Sequence, residues 1–284
     1  MIIHNSCNEA VRTCISDQYF AIAHLYSNEK TMNLHIHDCY EIYFSIHGGR
    51  QFLIDHSCYD IVPGDVFFIN TTECHYLSQV EREVHERIVL SISPQFLEAQ
   101  SSDSTDLRAC FEKSLPAMHK LHLSDEEQKR FLYFIHKLSG LSGYGADVIE
   151  KAVFSEMMVF LNSAYTKNQH HAADIPQPIY NRQVDEILTY INQNLDRALS
   201  LQELAQNFYL SESYICRIFK QATGTSIRKY ITAQRIVLAK SLLTDGNSVK
   251  DTCELCGFHD YSNFLKSFSN AVGISPKKYA KFMS

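Results

Sequence analysis

From residue 19 to residue 94 the chain runs in short bursts rich in Ile, Val, Phe and Tyr: YFAIAHLY, YEIYFSI, RQFLIDHSCYDI, DVFFIN and ERIVLSI. Such residues suit a pleated, half-buried surface, and the turn signals His47-Gly48-Gly49 and Pro63-Gly64-Asp65 separate the bursts. Short strands at near-even spacing predict a barrel or sandwich. From Ser124 the period lengthens. SDEEQKRFLYFIHKLS sets Ser124 as an N-cap with Glu127 three residues on, a capping box, and predicts a helix. A second helix is predicted from about Ala146 to Tyr165, with Val148, Ala152, Phe154, Met158 and Leu161 on its apolar face. TKNQHHAADIPQPIY then loses all periodicity and carries two prolines, the mark of a linker. Everything after it reads as helix. The expected architecture is α+β and multidomain. Residues 1–165 form a sensing and dimerisation domain (barrel about 19–94, helices about 124–165), 166–180 a linker and 181–284 an all-α domain.

The last hundred residues repeat. At an offset of 49, Ser213/Ser262, Phe219/Phe268, Ala222/Ala271, Gly224/Gly273, Ser226/Ser275, Lys229/Lys278 and Tyr230/Tyr279 coincide, seven identities in eighteen positions. Each copy has a helix-turn-helix outline, at about 200–222 and about 248–272. In the first, Ser200 caps LQELAQNF, the chain turns at Tyr209-Leu210, and Ser211 caps a helix that stops at Gly224. In the second, Ser248 caps VKDTCELC, Gly257-Phe258 turns, and YSNFLKSFSNAV stops at Gly273. A helix, YITAQRIVLAKSLLT, joins the copies.

Composition narrows the class. With 284 residues, 45% hydrophobic and 20% charged, the chain is an ordinary two-domain protein. No apolar run reaches the ~20 residues of a membrane span, and the first dozen residues lack a signal peptide's build, so no membrane partner and a cytoplasmic location are expected. Nine scattered cysteines, an odd number, suit a reducing compartment. Cys253 and Cys256 have C-x-x-C spacing but no second pair to complete a zinc site, so they are expected in a core. The net charge of −6 divides unevenly. Residues 174–284 hold 13 Lys and Arg against 10 Asp and Glu (+3), and residues 1–173 hold 13 against 22 (−9). Only the second part suits a polyanion.

In the two second helices, Ile215, Ile218 and Phe219, and Phe264 and Phe268, must point inward. The opposite stripe carries Ser213, Cys216, Arg217 and Lys220 in one copy, and Ser262, Leu265, Lys266 and Ser269 in the other, where Tyr261 at the helix start is a further candidate for DNA contact. A cation at the same station of both faces fits major-groove reading, where Arg takes guanine O6 and N7 together and an apolar side chain meets a thymine methyl. LSLQELAQNFYLSESYICRIFKQATGTSIRKYI, QRIVLAKSLL and GFHDYSNFLKSFSNAVGISPKKY resemble the DNA-binding domain of the AraC/XylS transcription regulators over about residues 184–283. That resemblance implies double-stranded DNA as partner, two units docked in successive major grooves, and activation through contact with RNA polymerase. The chain departs from the family pattern at Thr252, Cys253, Lys266, Ser269 and Ala280. All but the first two reduce positive charge or bidentate reach, so the second unit is expected to bind DNA more weakly.

The stretch LHIHDCYEIYF sets His35, His37 and Glu41 close together. The strand region resembles a cupin barrel, the usual sensor half of that family. His35-x-His37-x3-Glu41-x6-Gly48 fits the first cupin motif, and Pro63-Gly64-Asp65 followed by His75 approximates the second. In metal-binding cupins these four side chains meet around one ion, and imidazole and carboxylate suit Zn, Fe, Ni or Mn. Alternation alone puts His35, His37, Glu41 and Tyr43 on one face of one strand. The favoured expectation is a small-molecule effector among His35, His37, Glu41, Tyr43 and His75, the family's link to carbohydrate genes suggesting a sugar, with no catalytic residues and no cofactor. A divalent metal on His35, His37, Glu41 and His75 is the alternative. Two other functions compete: a metal-dependent cupin enzyme with a DNA-binding tail, and an architectural DNA protein, which a tail of only +3 disfavours. The helices of 124–165 carry more apolar face than one small barrel covers, and predict a homodimer.

Overall fold

The structure is a computed structural model that describes residues 2–27, 35–49, 51–55, 57–78, 84–112, 119–169 and 182–283. Most of the expected linker lies outside the described residues. The strands are β1 (Ile3–His4), β2 (Phe20–Ser27), β3 (Tyr40–His47), β4 (Gln51–Ile54), β5 (Ser57–Asp60), β6 (Asp65–Ile69), β7 (His75–Ser78), β8 (His85–Ile92) and β9 (Lys120–His122). They pair into a six-stranded sheet, β1-β2-β8-β3-β6-β9, and a three-stranded one, β5-β4-β7. All pairings are antiparallel except β1 with β2. The sandwich form of the expectation is what appears, as two sheets rather than one closed barrel.

Alternation along the strands builds two cores. On β3, Ile42 and Phe44 face the helices α2 (Pro94–Gln100), α3 (Asp125–Ser139) and α4 (Ala146–Gln169). Tyr43 faces the other way, with Phe67, Val89, Phe52 and Leu77, into the space between the sheets. The helix α1 (Cys7–Asp17) closes one side of that space with Ala10 and Cys14. The elements expected from the sequence begin at residue 19 and do not include it. The capping box of α3 forms: Ser124 Oγ accepts from the Glu127 amide, and Glu127 Oε2 accepts from the Ser124 amide at 2.9 Å. On α4, Phe154, Met158 and Leu161 are buried, whereas Val148 and Ala152 are exposed. The buried face instead runs through Val153, Met157, Ala164 and Tyr165, the register that the i, i+3, i+4 spacing around Phe154 sets.

The helical half contains α5 (Arg182–Gln193), α6 (Leu201–Asn207), α7 (Glu212–Thr223), α8 (Ile227–Thr244), α9 (Val249–Leu255), α10 (Tyr261–Val272) and α11 (Pro276–Met283). The duplication is geometric as well as textual. Ser200, Ser211 and Ser248 each accept a backbone amide at a helix start, and Gly224 and Gly273 end α7 and α10 in the left-handed conformation at φ 72° and 85°. Phe219 meets Tyr230 at 5.6 Å and 66°, and Phe268 meets Tyr279 at 5.5 Å and 72°. The joining helix α8 starts three residues earlier than its apolar pattern suggested, because Ser226 caps it. Cys253 and Cys256 lie in the second unit's core, and all nine cysteines are free thiols.

The two halves touch. Leu53 of β4 and Tyr76 of β7 point away from the sheet interior and join the core of the first helix-turn-helix unit, with Ile215, Phe219 and Ile227. Cys58 Sγ donates to the Ala222 carbonyl at 3.0 Å, and Gln234 Nε2 of α8 donates to Cys74 Sγ at 3.1 Å. Lys240 of α8 is only 5% exposed. Its ammonium meets Asp38 Oδ1 at 2.6 Å and the Thr71 carbonyl at 3.0 Å, with the Tyr279 hydroxyl donating to the same carboxylate oxygen at 3.3 Å.

Candidate functional site

Between the sheets the chain gathers His35, His37, Glu41 and His75. One donor atom from each lies within 4.8 Å of all the others. They do not share one strand face as alternation suggested. Strand β3 starts only at Tyr40, and His35 pairs instead with His75, each amide donating to the other's carbonyl at 3.1 and 3.0 Å. Glu41 comes from β3, His37 from the turn before it and His75 from the start of β7.

Two imidazoles are oriented by the backbone. His37 Nδ1 is 3.0 Å from the Cys39 carbonyl, and His75 Nδ1 is 3.3 Å from the Glu73 carbonyl. A carbonyl only accepts, so each Nδ1 carries the hydrogen and each Nε2 turns toward Glu41. Glu41 Oε2 is 3.0 Å from His37 Nε2 and 3.7 Å from His75 Nε2, and the latter is buried without a hydrogen-bond partner among the described residues. Burial pushes the His37 imidazole down, but Cys39 and Glu41 outweigh it and hold the pKa up at about 9. Burial pushes Glu41 up, and His75 and His37 overcome that to keep it well below the carboxylate range. The donor set is three imidazoles and a carboxylate, with the second nitrogens of His37 and His75 bonded to the backbone, and could hold a divalent transition metal.

The cavity beside the cluster is small, about 10 Å³, and is lined by Cys7, His35, Glu41, Tyr43, Phe52, His75, Leu77, Arg87 and Val89. That is room for about one water. A sugar would need the walls to move apart. Tyr43 lines the same cavity, and its hydroxyl is bonded to His85 Nε2 at 2.6 Å. Cys7 and Arg87 escaped the sequence reading because no spacing ties them to the histidine motif; only the sheet brings them there.

In the helical half, Ser213, Cys216, Arg217 and Lys220 are exposed along α7, and Tyr261, Ser262 and Lys266 along α10. Leu265 is half-buried against the second unit's core, which leaves part of it to meet a groove. Arg217 lies over the Tyr214 ring at 5.2 Å, a contact that holds its guanidinium near the helix surface. Among the described residues, contact with the sheet domain covers neither stripe.

Residues 18–146 match the family model described as an AraC-like ligand binding domain, and residues 204–281 match one described as a helix-turn-helix domain. The chain is 24% identical over 255 residues to the uncharacterised HTH-type transcriptional regulator YdeC of Bacillus subtilis (strain 168), covering 88% of this chain and 87% of that one. It is 34% identical over 99 residues to the melibiose operon regulatory protein of Escherichia coli (strain K12), 34% of this chain and 33% of that protein. Among solved structures it is similar to ToxT from Vibrio cholerae O395, at 14% identity and a TM-score of 0.40, covering 94% of this chain and 100% of that one.

Proposed function

The chain belongs to the AraC family of transcription regulators, with a ligand-binding half and a helix-turn-helix half, and from that premise we propose that α7 and α10 read two half-sites of one operator while the inter-sheet cluster binds the effector. The observation that carries this reading is the matched pair of exposed faces, with Arg217 and Lys266 at equivalent stations of a duplicated unit. The chain acts from the cytoplasm as a homodimer joined through α3 and α4, and activates by contact with RNA polymerase. It does no chemistry of its own. Among the described residues, the cavity beside the histidines is about 10 Å³, small for an organic substrate. The melibiose regulator matches over only about a third of each chain, so its sugar does not come across with the likeness.

The two units differ in strength. Lys266 offers a point charge where Arg217 offers a fork, and Ser269 and Ala280 add no charge. Arg217→Ala should therefore weaken operator binding by about 1–3 kcal/mol and relax preference at one base pair, while Lys266→Ala should cost less. Electrophoretic mobility shifts on promoter fragments, with half-sites mutated one at a time, read both. Equal losses at the two half-sites would refute the asymmetry, and an unaffected Arg217→Ala would refute the reading.

A further inference from the structure

Arg235 sits where the two helix-turn-helix units meet. On α8 it lies between Ile231, which belongs to the first unit's core, and Ile236, which belongs to the second's. Its Nε donates to the Leu195 carbonyl at 3.0 Å and its Nη2 to the Arg197 carbonyl at 2.6 Å, both in the loop between α5 and α6. The same guanidinium lies over the ring of Phe258, in the second unit's turn, 5.8 Å from its centroid. We propose that this seam makes the two units one rigid body, and that Arg235 is a positioning residue that sets which half-site spacing the protein accepts. This rests on the regulator reading above and adds the geometric rule by which an operator is chosen.

Each side of the seam is anchored to a reading helix. On the first side, Arg197 Nη2 donates to the Tyr190 hydroxyl at 2.6 Å, and Asn194 Nδ2 donates to the Tyr190 carbonyl at 2.7 Å, which fastens the loop to α5. Helix α5 in turn packs Ile187 and Ile191 into one core with Ile215 and Phe219 of α7. On the second side, Phe258 meets Phe264 of α10 with ring centroids 5.3 Å apart. Loop and turn approach so closely that a Cβ on Gly257 would strike both the Leu195 carbonyl and the Arg235 guanidinium. Arginine suits the place, because its planar fork aims several N–H donors in fixed directions and keeps a flat face for a ring. A lysine's point charge does not reproduce the fork. Without the seam the units would share only α8, each free to rock on its own core.

Rigidity is what makes spacing matter. One extra base pair moves the second half-site by ~3.4 Å along the duplex and turns it by ~35° about the axis. A rigid pair cannot follow and keeps one contact, losing the gain of linked binding. A loose pair follows and keeps most of that gain, but binds the best spacing less tightly.

The test uses the full chain and a duplex that the wild type selects from a random-sequence pool. Footprinting marks the two half-sites, and one base pair is then inserted or removed between them. The wild type should bind the altered spacings about a hundredfold more weakly, the low end of what linking two modules gains. Arg235→Met should bind the selected duplex less tightly, yet lose less than about tenfold on either altered spacing. On duplexes with one half-site scrambled the two proteins should bind alike, a readout that general damage to the fold would move. Arg235→Lys should show a spacing penalty between the two, and it serves alone if Arg235→Met does not fold. Variants that keep the wild-type spacing penalty, or that weaken single half-sites as much as the pair, overturn the proposal. So does a wild type that accepts every spacing. Failure of the regulator reading shows separately, as a wild type that enriches no sequence from the pool, and it takes the proposal with it.

Discussion

His85 shows how one side chain sets a pH limit. Its Nδ1 lies 3.4 Å from Arg87 Nη1, which always carries hydrogens, so Nδ1 accepts and Nε2–H donates to the Tyr43 hydroxyl at 2.6 Å. Burial first, then Arg87 and His47, pushes the imidazole down to about 4. In the unfolded chain it protonates near ~6.5. The folded state thus keeps the full benefit of a neutral His85 above about pH 6.5, and loses it as pH falls toward 4. Urea titrations at several pH values in that window should show the wild type losing stability more steeply than His85→Asn, and parallel slopes would count against the assignment. Arg87, two residues on along β8, shares a face with His85 by simple alternation, but Tyr43 reaches it only across the sheet, so the sequence around His85 did not show the role.

The turns of the two helix-turn-helix units pair a tyrosine with a glycine. Tyr209 and Gly257 occupy equivalent places with φ 54° and 77°. Tyr209 is exposed and tolerates the left-handed backbone, but a Cβ on Gly257 would strike the Leu195 carbonyl and the Arg235 guanidinium. Gly273 also has positive φ, yet a Cβ there meets nothing within 4 Å. Gly257→Ala should therefore cost about 2–4 kcal/mol, clash added to backbone strain, and Gly273→Ala only about 1 kcal/mol. Denaturant midpoints of the two variants decide it, and equal costs would show that the approach of Leu195 is not confining. The turn itself was legible from the glycine. The closeness of Leu195 was not, since it comes from the loop after α5.

At the level of the molecule, α3 and α4 bury one face in their own sheet and leave another outside. Phe131, Phe134, Phe154 and Met158 are covered, while Leu132, Tyr133, Val148, Ile149 and Val159 are exposed. Apolar side chains on two adjacent helices make a surface that a second copy can cover. Sedimentation should find about twice 32.6 kDa at micromolar concentration, and Val159→Asp with Tyr133→Glu should return the 32.6 kDa species with its melting temperature little changed. A wild type that sediments only as 32.6 kDa ends the dimer. No helix among the described residues is long and apolar enough to cross a membrane.

The duplicated serine caps, the glycine stops and the phased Phe and Arg positions act within ten or so residues of one another. Hydrogen-bond capping and helical period are local, so the sequence alone determined the two helix-turn-helix units and their outward stripes. The strand bursts likewise announced sheets, through a period of two. What the local pattern could not carry were distances across the chain: His35 bridged to His75, Asp38 against Lys240, and a cavity of about 10 Å³ between the sheets. Those follow from which strands pair and how two cores share a boundary, and only packing in three dimensions sets them.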